Sequence, residues 1–428
     1  MSKLHAARVI EKHQGTRFAL PEQVEVPLRQ LAAAVKEGLL AFSVGVGLQV
    51  MALMMEEELN EVVGPKGKHD PDRTATRHGS EQGSVVLGGR KVKVTRPRAR
   101  HLHDSGEVEL SAYAHFAKED LLGQMALERM VAGLSTRNYG AGLEPVGDVD
   151  ATGTKHSSVS RRFVERTTTA LKELMARDLS KLNIVALLLD GVEIAGHTMI
   201  VALGIDAKGR KHPLGLREGT TENKSVCRAL LSNLIERGLD FDDGILVVID
   251  GGKGLRAAVN SVFGRMALVQ RCQIHKKRNV LDHLPEHMHS FVAAKMERAY
   301  KMRDFGAARR SLIDLAKTLD AQHPGAASSL REGLDETLTV VKLQLSPSLQ
   351  RTLRSTNTIE SMISIGRTTM RNVKRWRDAK MIERWTAAGL LEAEKRFYRA
   401  QGFRDLPALQ MALSSCLKEV IGSKEEAA

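Results

Sequence analysis

The sequence predicts an α/β core, a mixed sheet flanked by helices, that is interrupted by an all-helical block and preceded by a mostly helical region with a small β-hairpin. Three observations carry this prediction. Unbroken apolar runs at Val185–Leu189 and Ile245–Ile249 have the length and composition of buried strands. Strand and helix signals alternate between and around them. Helical periodicity then fills residues 275–344 before a final segment containing Glu360.

Size and charge narrow the possibilities. The chain has 428 residues, too many for one ordinary domain of roughly 150, so two to four structural units are expected. A hydrophobic fraction of 42% beside 27% charged residues excludes a disordered chain. The 64 Lys and Arg exceed the 51 Asp and Glu by 13, which points to polyanionic partners, nucleic acid before acidic membrane. Aromatics at 4% argue against base-stacking platforms as the main grip. Cys227, Cys272 and Cys416 stand far apart, which fits a reducing cytoplasm rather than a disulfide framework. Met1 to Glu11 has no apolar h-region, so no signal peptide is expected. The longest apolar stretch, Leu39 to Met55, is shorter than the roughly 20 residues needed to cross a bilayer and runs into Glu56, Glu57 and Glu58. It reads as a buried or dimer-forming helix, and no membrane partner is expected.

Along the chain, residues 1–65 form a helical region with its helix at 25–62, a site for dimerisation. Residues 66–110 hold a polar, turn-rich linker at 66–83 and then Ser84–Arg100, where apolar and basic residues alternate around Gly88-Gly89 as in a hairpin. Arg90, Lys91, Lys93, Arg96, Arg98 and Arg100 include no acid among them, which favours phosphate contact over a merely solvated edge strand. Residues 111–180 carry a helix at Asp120–Ala132, a turn at Gly133–Arg137 and a Ser/Arg-rich helix start at Ser157–Phe163. This is the pattern of a helix-turn-helix, with Arg161 and Arg162 entering DNA, although helical bundles share it.

In residues 181–270, strands are expected at Val185–Leu189, His197–Ile205, around His212–Leu216, at Ile245–Ile249 and at Ala267–Gln270. Helices are expected at Lys224–Arg237 and from near Leu255. The helical block spans 271–345, a second core segment 346–400, and a terminal helix 401–428.

Two of the strands end in Asp-Gly, at Asp190-Gly191 and Asp250-Gly251. One such Asp commonly caps a turn. Two at buried strand ends can reach one cation, and carboxylate ligation suits Mg²⁺ or Mn²⁺ better than zinc. Glu360 follows a helix start at Thr356 or Asn357, where it could also serve the helix dipole. At 3.6 residues per turn Glu360, Arg367, Arg371, Lys374 and Asp378 share one face, a stripe of about 20 Å, with Arg375 beside it. A carboxylate followed by a row of cations is the arrangement a nuclease or strand transferase needs. Gly251-Gly252-Lys253-Gly254 lacks the spacing of a phosphate-binding nucleotide loop, so ATP is excluded. Cys272-x2-His275 lacks the second paired spacing of a zinc site.

With these residues in hand, the sequence resembles the bacterial insertion-sequence transposases of the Mutator family. The resemblance rests on Leu188-Leu189-Asp190-Gly191, on Ile249-Asp250-Gly251-Gly252-Lys253-Gly254-Leu255, on Arg271-Cys272-Gln273-Ile274-His275-Lys276, and on Thr356-Asn357-Thr358-Ile359-Glu360. These four ordered motifs span about half of the chain. The N-terminal half matches through Arg77-His78-Gly79, Arg96-Pro97-Arg98 and Gly133-Leu134-Ser135-Thr136, while Gly252 departs from the family's usual larger residue. The resemblance implies an RNase H-like fold with a helical insertion between Asp250 and Glu360, and a DDE triad of Asp190, Asp250 and Glu360 holding two Mg²⁺ or Mn²⁺ ions. It implies cleavage at terminal inverted repeats and transfer of the freed 3′-hydroxyl to another phosphodiester. It makes Cys272 and His275 site-supporting residues, with His275 positioning the scissile phosphate. Lys276, Lys277 and Arg278 join the basic residues above as DNA contacts. The partners are then double-stranded terminal-repeat and target DNA, with a homodimer or larger assembly on paired ends. Two alternatives stay open: an RNase H-like nuclease without strand transfer, and a domesticated, non-catalytic DNA-binding protein.

Overall fold

The computed structural model describes residues 39–68, 70–103, 106–146, 149–219 and 223–425. The part of the expected first helix at 25–38 lies outside them. The chain divides into two compact units, Met1–Arg166 and Thr167–Ala428.

In the first unit, α1 (Leu39–Val63) buries Met51, Met55, Leu59 and Val63 against Ala75, Val85, Val92 and Ala99 of an antiparallel hairpin. The hairpin joins β1 (Ala75–Leu87) to β2 (Arg90–His101) through Gly88-Gly89. Both glycines have positive φ, +54° and +83°, as a two-residue turn matching strand twist requires. Residues 75–83 are therefore strand, where a linker was expected. Their polar side chains suit an exposed strand because the partner is polar too, with Glu81 opposite Arg96 and Gln82 opposite Thr95. Next come α2 (Ser111–Phe116), α3 (Glu119–Val131), the short β3 (Ala151–Thr152) and α4 (His156–Ala176), within which the first unit ends at Arg166. The two helices expected of a helix-turn-helix are present. Residues 132–155 between them include β3 paired on β2, so the connection is much longer than the short turn expected.

The second unit is built on a five-stranded mixed sheet in the order β6-β5-β4-β7-β8. Here β4 is Ile184–Ile194, β5 His197–Asp206, β6 Lys211–Gly219, β7 Ile245–Ile249 and β8 Ala267–Arg271. Strand β5 runs antiparallel to β4 and β6, whereas β4, β7 and β8 are mutually parallel. Strand β4 does not end at Asp190: it continues beside β5, with Asp190 opposite Val201, and turns at Ala195-Gly196. Helices α5 (Lys224–Glu236) and α6 (Lys253–Phe263) cover one face, where Leu230, Leu234 and Phe263 meet Leu187, Leu189, Val247 and Ile249.

After β8, six helices follow: α7 (Gln273–Leu281), α8 (Glu286–Tyr300), α9 (Phe305–Asp320), α10 (Pro324–Arg331), α11 (Leu334–Thr337) and α12 (Thr339–Lys342). They enclose their own core, including Met296, Leu312, Leu315 and Leu330. Helices α13 (Pro347–Leu353), α14 (Asn357–Met370), α15 (Ala379–Glu394) and α16 (Leu406–Glu425) complete the unit. α14 packs on β4, and α14 meets α15 where Gly366 faces Gly389. A Cβ on Gly389 would stand 2.9 Å from the Gly366 Cα, so that crossing requires glycine. No helix among the described residues is long and apolar enough to cross a membrane.

Candidate active site

Strand register brings the first two carboxylates together. Leu188 pairs with Val248 across the parallel β4–β7 ladder, and Asp190 and Asp250 each lie two residues further on. Side chains two apart share a face, and neighbouring strands lie about 4.8 Å apart, so both Asp side chains start from adjacent points on the sheet face away from α5 and α6. The third carboxylate, Glu360, is in the first turn of α14, the helix packed on β4.

Turn capping is present as well. Asp190 Oδ1 accepts from the Gly191 N–H at 3.0 Å, and Asp250 Oδ1 from the Gly252 N–H at 2.8 Å. Gly251 between them adopts φ +112°, which a Cβ would strain. Capping does not account for the electrostatics of Asp190. Burial, followed by the negative charges of Asp250 and Glu360, raises its pKa to about 7, with His275 opposing.

Cys272, Thr356 and His275 brace this group. Cys272 caps α7, its Sγ accepting from the His275 N–H at 3.5 Å. The buried Thr356 hydroxyl donates to Glu360 Oε1 at 2.6 Å and stands 3.4 Å from His275 Nδ1 and 3.5 Å from Cys272 Sγ. His275 Nε2 lies 3.9 Å from Glu360 Oε1. The His275 pKa is raised to about 8, chiefly by hydrogen bonding to Cys272, with Glu360 and Asp250 adding to it. Burial pushes the Cys272 thiol up, but its hydrogen bonds with His275 and Thr356 outweigh that and hold it below the usual thiol range. The sequence offers Thr356 only as a helix cap; it makes no capping bond and is instead the hub joining α7 to α14. Among the described residues, no group of three or more His, Cys, Asp or Glu side chains is drawn together tightly enough to hold a metal ion. The three carboxylates thus sense one another's charge without forming a closed ligand set.

Comparison with known proteins gives the family. The family described as transposase, Mutator family, matches residues 23–400. The chain belongs to that family. It is 30% identical over 343 residues to the transposase for insertion sequence element ISRM5 of Rhizobium meliloti, covering 77% of this chain and 83% of the relative. It is 29% identical over 235 residues to the IS6120 transposase of Mycolicibacterium smegmatis, covering 54% of this chain and 71% of the relative. It is also 25% identical over 324 residues to the IS256 transposase in transposon Tn4001 of Staphylococcus aureus, covering 72% and 79%.

The basic residues of this Mutator-family chain sort into committed and available cations. Arg90 is buried, and burial beside Arg129 lowers its pKa. Arg96 and Arg98 pair with Glu81 and Glu107, and Lys93 with Asp150 at 2.6 Å. The cationic hairpin face predicted from β2 alone is therefore largely neutralised by acids from elsewhere in the unit; Arg100 remains exposed. Arg162 donates to the Gly153 carbonyl at 2.7 Å, while Arg161 is exposed. Lys276, expected on DNA, is 4% exposed and gives its ammonium to the Ser329 and Glu332 carbonyls at 2.7 Å, so no duplex can reach it. Lys277 pairs with Glu297 at 2.5 Å, and Arg278 is exposed.

The stripe beyond Glu360 is interrupted. Helix α14 ends at Met370, and Asp378, whose carboxylate accepts from the Met381 N–H at 2.7 Å, starts α15. Arg367 lies on α14 and donates to the Glu193 carbonyl at 3.2 Å, whereas Arg371, Lys374 and Arg375 sit on the exposed connection between the two helices. Trp376 packs edge-on against the buried Trp385, with ring centroids 6.5 Å apart.

Proposed function

We propose that the chain is a DNA transposase that binds the terminal inverted repeats of its insertion sequence and cuts and joins DNA with Asp190, Asp250 and Glu360 as a DDE triad on an RNase H-like core. The in-register placement of Asp190 and Asp250 on adjacent parallel strands, with the Glu360 helix on the same face, carries this reading. The sheet order and the helical block between β8 and α13 support it.

The donor chemistry fits a hard divalent cation. Three carboxylates face one another, and the most buried has its proton affinity raised by the other two, a repulsion that Mg²⁺ or Mn²⁺ relieves. Asp190, Asp250 and Glu360 would hold the divalent ions, which when bound would supply activation of a water or a 3′-hydroxyl and stabilisation of the leaving oxygen. The chain's own groups orient the rest. Thr356 fixes the Glu360 carboxylate by its hydrogen bond. His275, whose raised pKa leaves it largely protonated at neutral pH, offers an N–H donor to a phosphate oxygen beside the triad. Arg371, Lys374 and Arg375 supply exposed cations for the flanking backbone.

The test incubates purified protein with a labelled terminal-repeat duplex and Mg²⁺. Strand-specific nicking and a joined product, both lost in Asp190→Ala, are expected. Nicking without joining would make the protein a nuclease. Full biological activity in Asp190→Asn, Asp250→Asn and Glu360→Gln would make it a non-catalytic DNA-binding protein.

A further inference from the structure

The corner from β8 into α7 is unusually polar for its depth. Gln270, Arg271, Gln273 and Lys276 are all buried, at 0%, 8%, 4% and 4% exposure. A buried polar group needs a partner, and all four find theirs in one short segment of the helical block. The Gln270 and Gln273 amides both donate to the Thr337 carbonyl at 2.9 Å, and Gln270 Oε1 accepts from the Val340 N–H at 2.9 Å. Lys276 donates to the Ser329 and Glu332 carbonyls.

Arg271 matters most, because Asp250 follows the residue it pairs with. Ile249 is its register partner, and a Cβ on Gly251 would lie 3.8 Å from its guanidinium. Its Nε donates to Glu336 Oε2 at 2.6 Å. The other oxygen of the same carboxylate, Oε1, accepts from Arg256 Nε at 2.6 Å, and Arg256 lies one turn into α6, on the far side of the Asp250–Gly252 loop. Gly333 lies flat against the Arg271 guanidinium: a Cβ there would come within 2.5 Å of Nε.

We propose that Glu336 is a positioning residue for the Asp250 corner, one carboxylate of the helical block that holds the two arginines bracketing Asp250 and keeps their charges away from its carboxylate. The inference rests on Asp250 being a metal-holding residue. Without Glu336, Arg256 loses its counter-charge and Arg271 keeps only Glu332, whose Oε1 lies 3.5 Å from its Nη1, while Asp250 is the nearest acid in sequence to Arg256 and directly follows Ile249, the register partner of Arg271. An arginine paired to Asp250 competes with a divalent cation for the same oxygens. The helical block thereby sets how well the corner accepts metal, without touching it.

The experiment titrates Mn²⁺ into the full-length protein and follows the rise in Tm, and in parallel follows cleavage of a terminal-repeat duplex. Glu336→Ala is expected to raise the Mn²⁺ midpoint in both assays at least five-fold, with duplex binding unchanged. Glu336→Gln, which keeps the shape of the side chain and guards against misfolding, is expected to raise it two- to three-fold. A purely structural role would lower the metal-free Tm and leave the midpoint where it is; wild-type midpoints in both variants overturn the proposal. Asp250→Asn separates this from failure of the site itself. If that variant cleaves and responds to Mn²⁺ as wild type does, the assignment of Asp250 falls, and with it the premise; if it does neither while the Glu336 variants match wild type, only the role of Glu336 falls.

Discussion

Asp190 is nearly out of solvent with two like charges facing it, so ionising it in the folded state is costly. Its folded pKa of about 7 lies above the ordinary 3.8. Between those values the folded protein keeps a proton that the unfolded chain releases, so stability falls as pH rises through that window. Asp190→Asn removes this loss. Thermal melts should show the variant with a higher Tm than wild type at pH 8 and no advantage at pH 4, alongside complete loss of cleavage. Mg²⁺ should raise the wild-type Tm at pH 8 and leave that of Asp190→Asn nearly unmoved; an equal shift in both would count against metal at this site. Thr356→Val tests the brace. Losing one buried hydroxyl with its hydrogen bonds should cost about 1 kcal/mol in denaturant unfolding, and cleavage in single turnover should slow roughly ten-fold through a misplaced Glu360. Asp190, Asp250 and Glu360 could be singled out in the sequence because apolar runs that stop at Asp-Gly and a helix start are local patterns, although β4 itself runs on past Asp190. The Thr356 hub was not, because its link to Cys272 spans 84 residues and leaves no trace in periodicity.

At the scale of elements, the far edge of the sheet is held by a partly buried charge cluster. Arg177 pairs with both oxygens of Glu394 at 2.8 Å, and His212 lies between Asp206, at 3.1 Å, and Glu394, at 3.7 Å. Hydrogen bonds to Glu394 and Asp206 raise the His212 pKa against the opposing effect of burial; burial also pushes Glu394 up, but His212 and Arg177 more than offset it and lower its pKa. His212 therefore stabilises the fold fully below its ordinary 6.5 and less as pH rises through its raised value. Glu394 stabilises above its ordinary 4.5 and less as pH falls through its lowered value. Both act fully only between these limits, so Glu394→Gln should destabilise most near pH 5.5, by about 1–2 kcal/mol in urea unfolding. Equal destabilisation at pH 5.5 and pH 9 would show that the histidine contributes nothing.

Sequence patterns located most strands and helices to within a few residues, but misjudged three ends for separate physical reasons. Strand β4 passes through Asp190 because its antiparallel neighbour β5 pairs with it along its whole length, beyond the point where the parallel one stops. Strand β1 includes polar residues because its cross-strand partners are polar. The basic stripe breaks after Met370 because Asp378 caps a new helix, and helical phase carries no stop signal where Gly and Pro are absent.

For the whole molecule, the excess of 13 positive charges overstates what DNA can use. Lys276 is consumed inside the helical block, and Arg96 and Arg98 inside the hairpin unit. The exposed connection from Arg371 to Arg375 is where cations stand available. If these contact phosphates, the double variant Arg371→Ala/Lys374→Ala should flatten the log–log salt dependence of terminal-repeat binding by about 2. Arg98→Ala, which also frees Glu107, should flatten it less. Measurement by anisotropy across a salt series decides this, and an identical slope in the double variant and wild type would remove the connection from the DNA path. Pairing across an unbroken segment without acids is invisible to a charge count along the chain: Glu81 and Glu107 lie outside the strand they neutralise.

Asp190 sits inside a strand that stays paired with β5 beyond it, whereas Asp250 follows the end of its strand at a glycine and Glu360 rides on a helix. The site therefore has one immobile corner and two adjustable ones. Amide hydrogen exchange should reflect this, with protection at Asp190 approaching the global unfolding limit and Gly251 exchanging through small local openings. Under the proposed transposase reading, such a centre would accept a water in one step and a DNA end in the next by shifting its outer corners, with the buried one as the fixed reference for both.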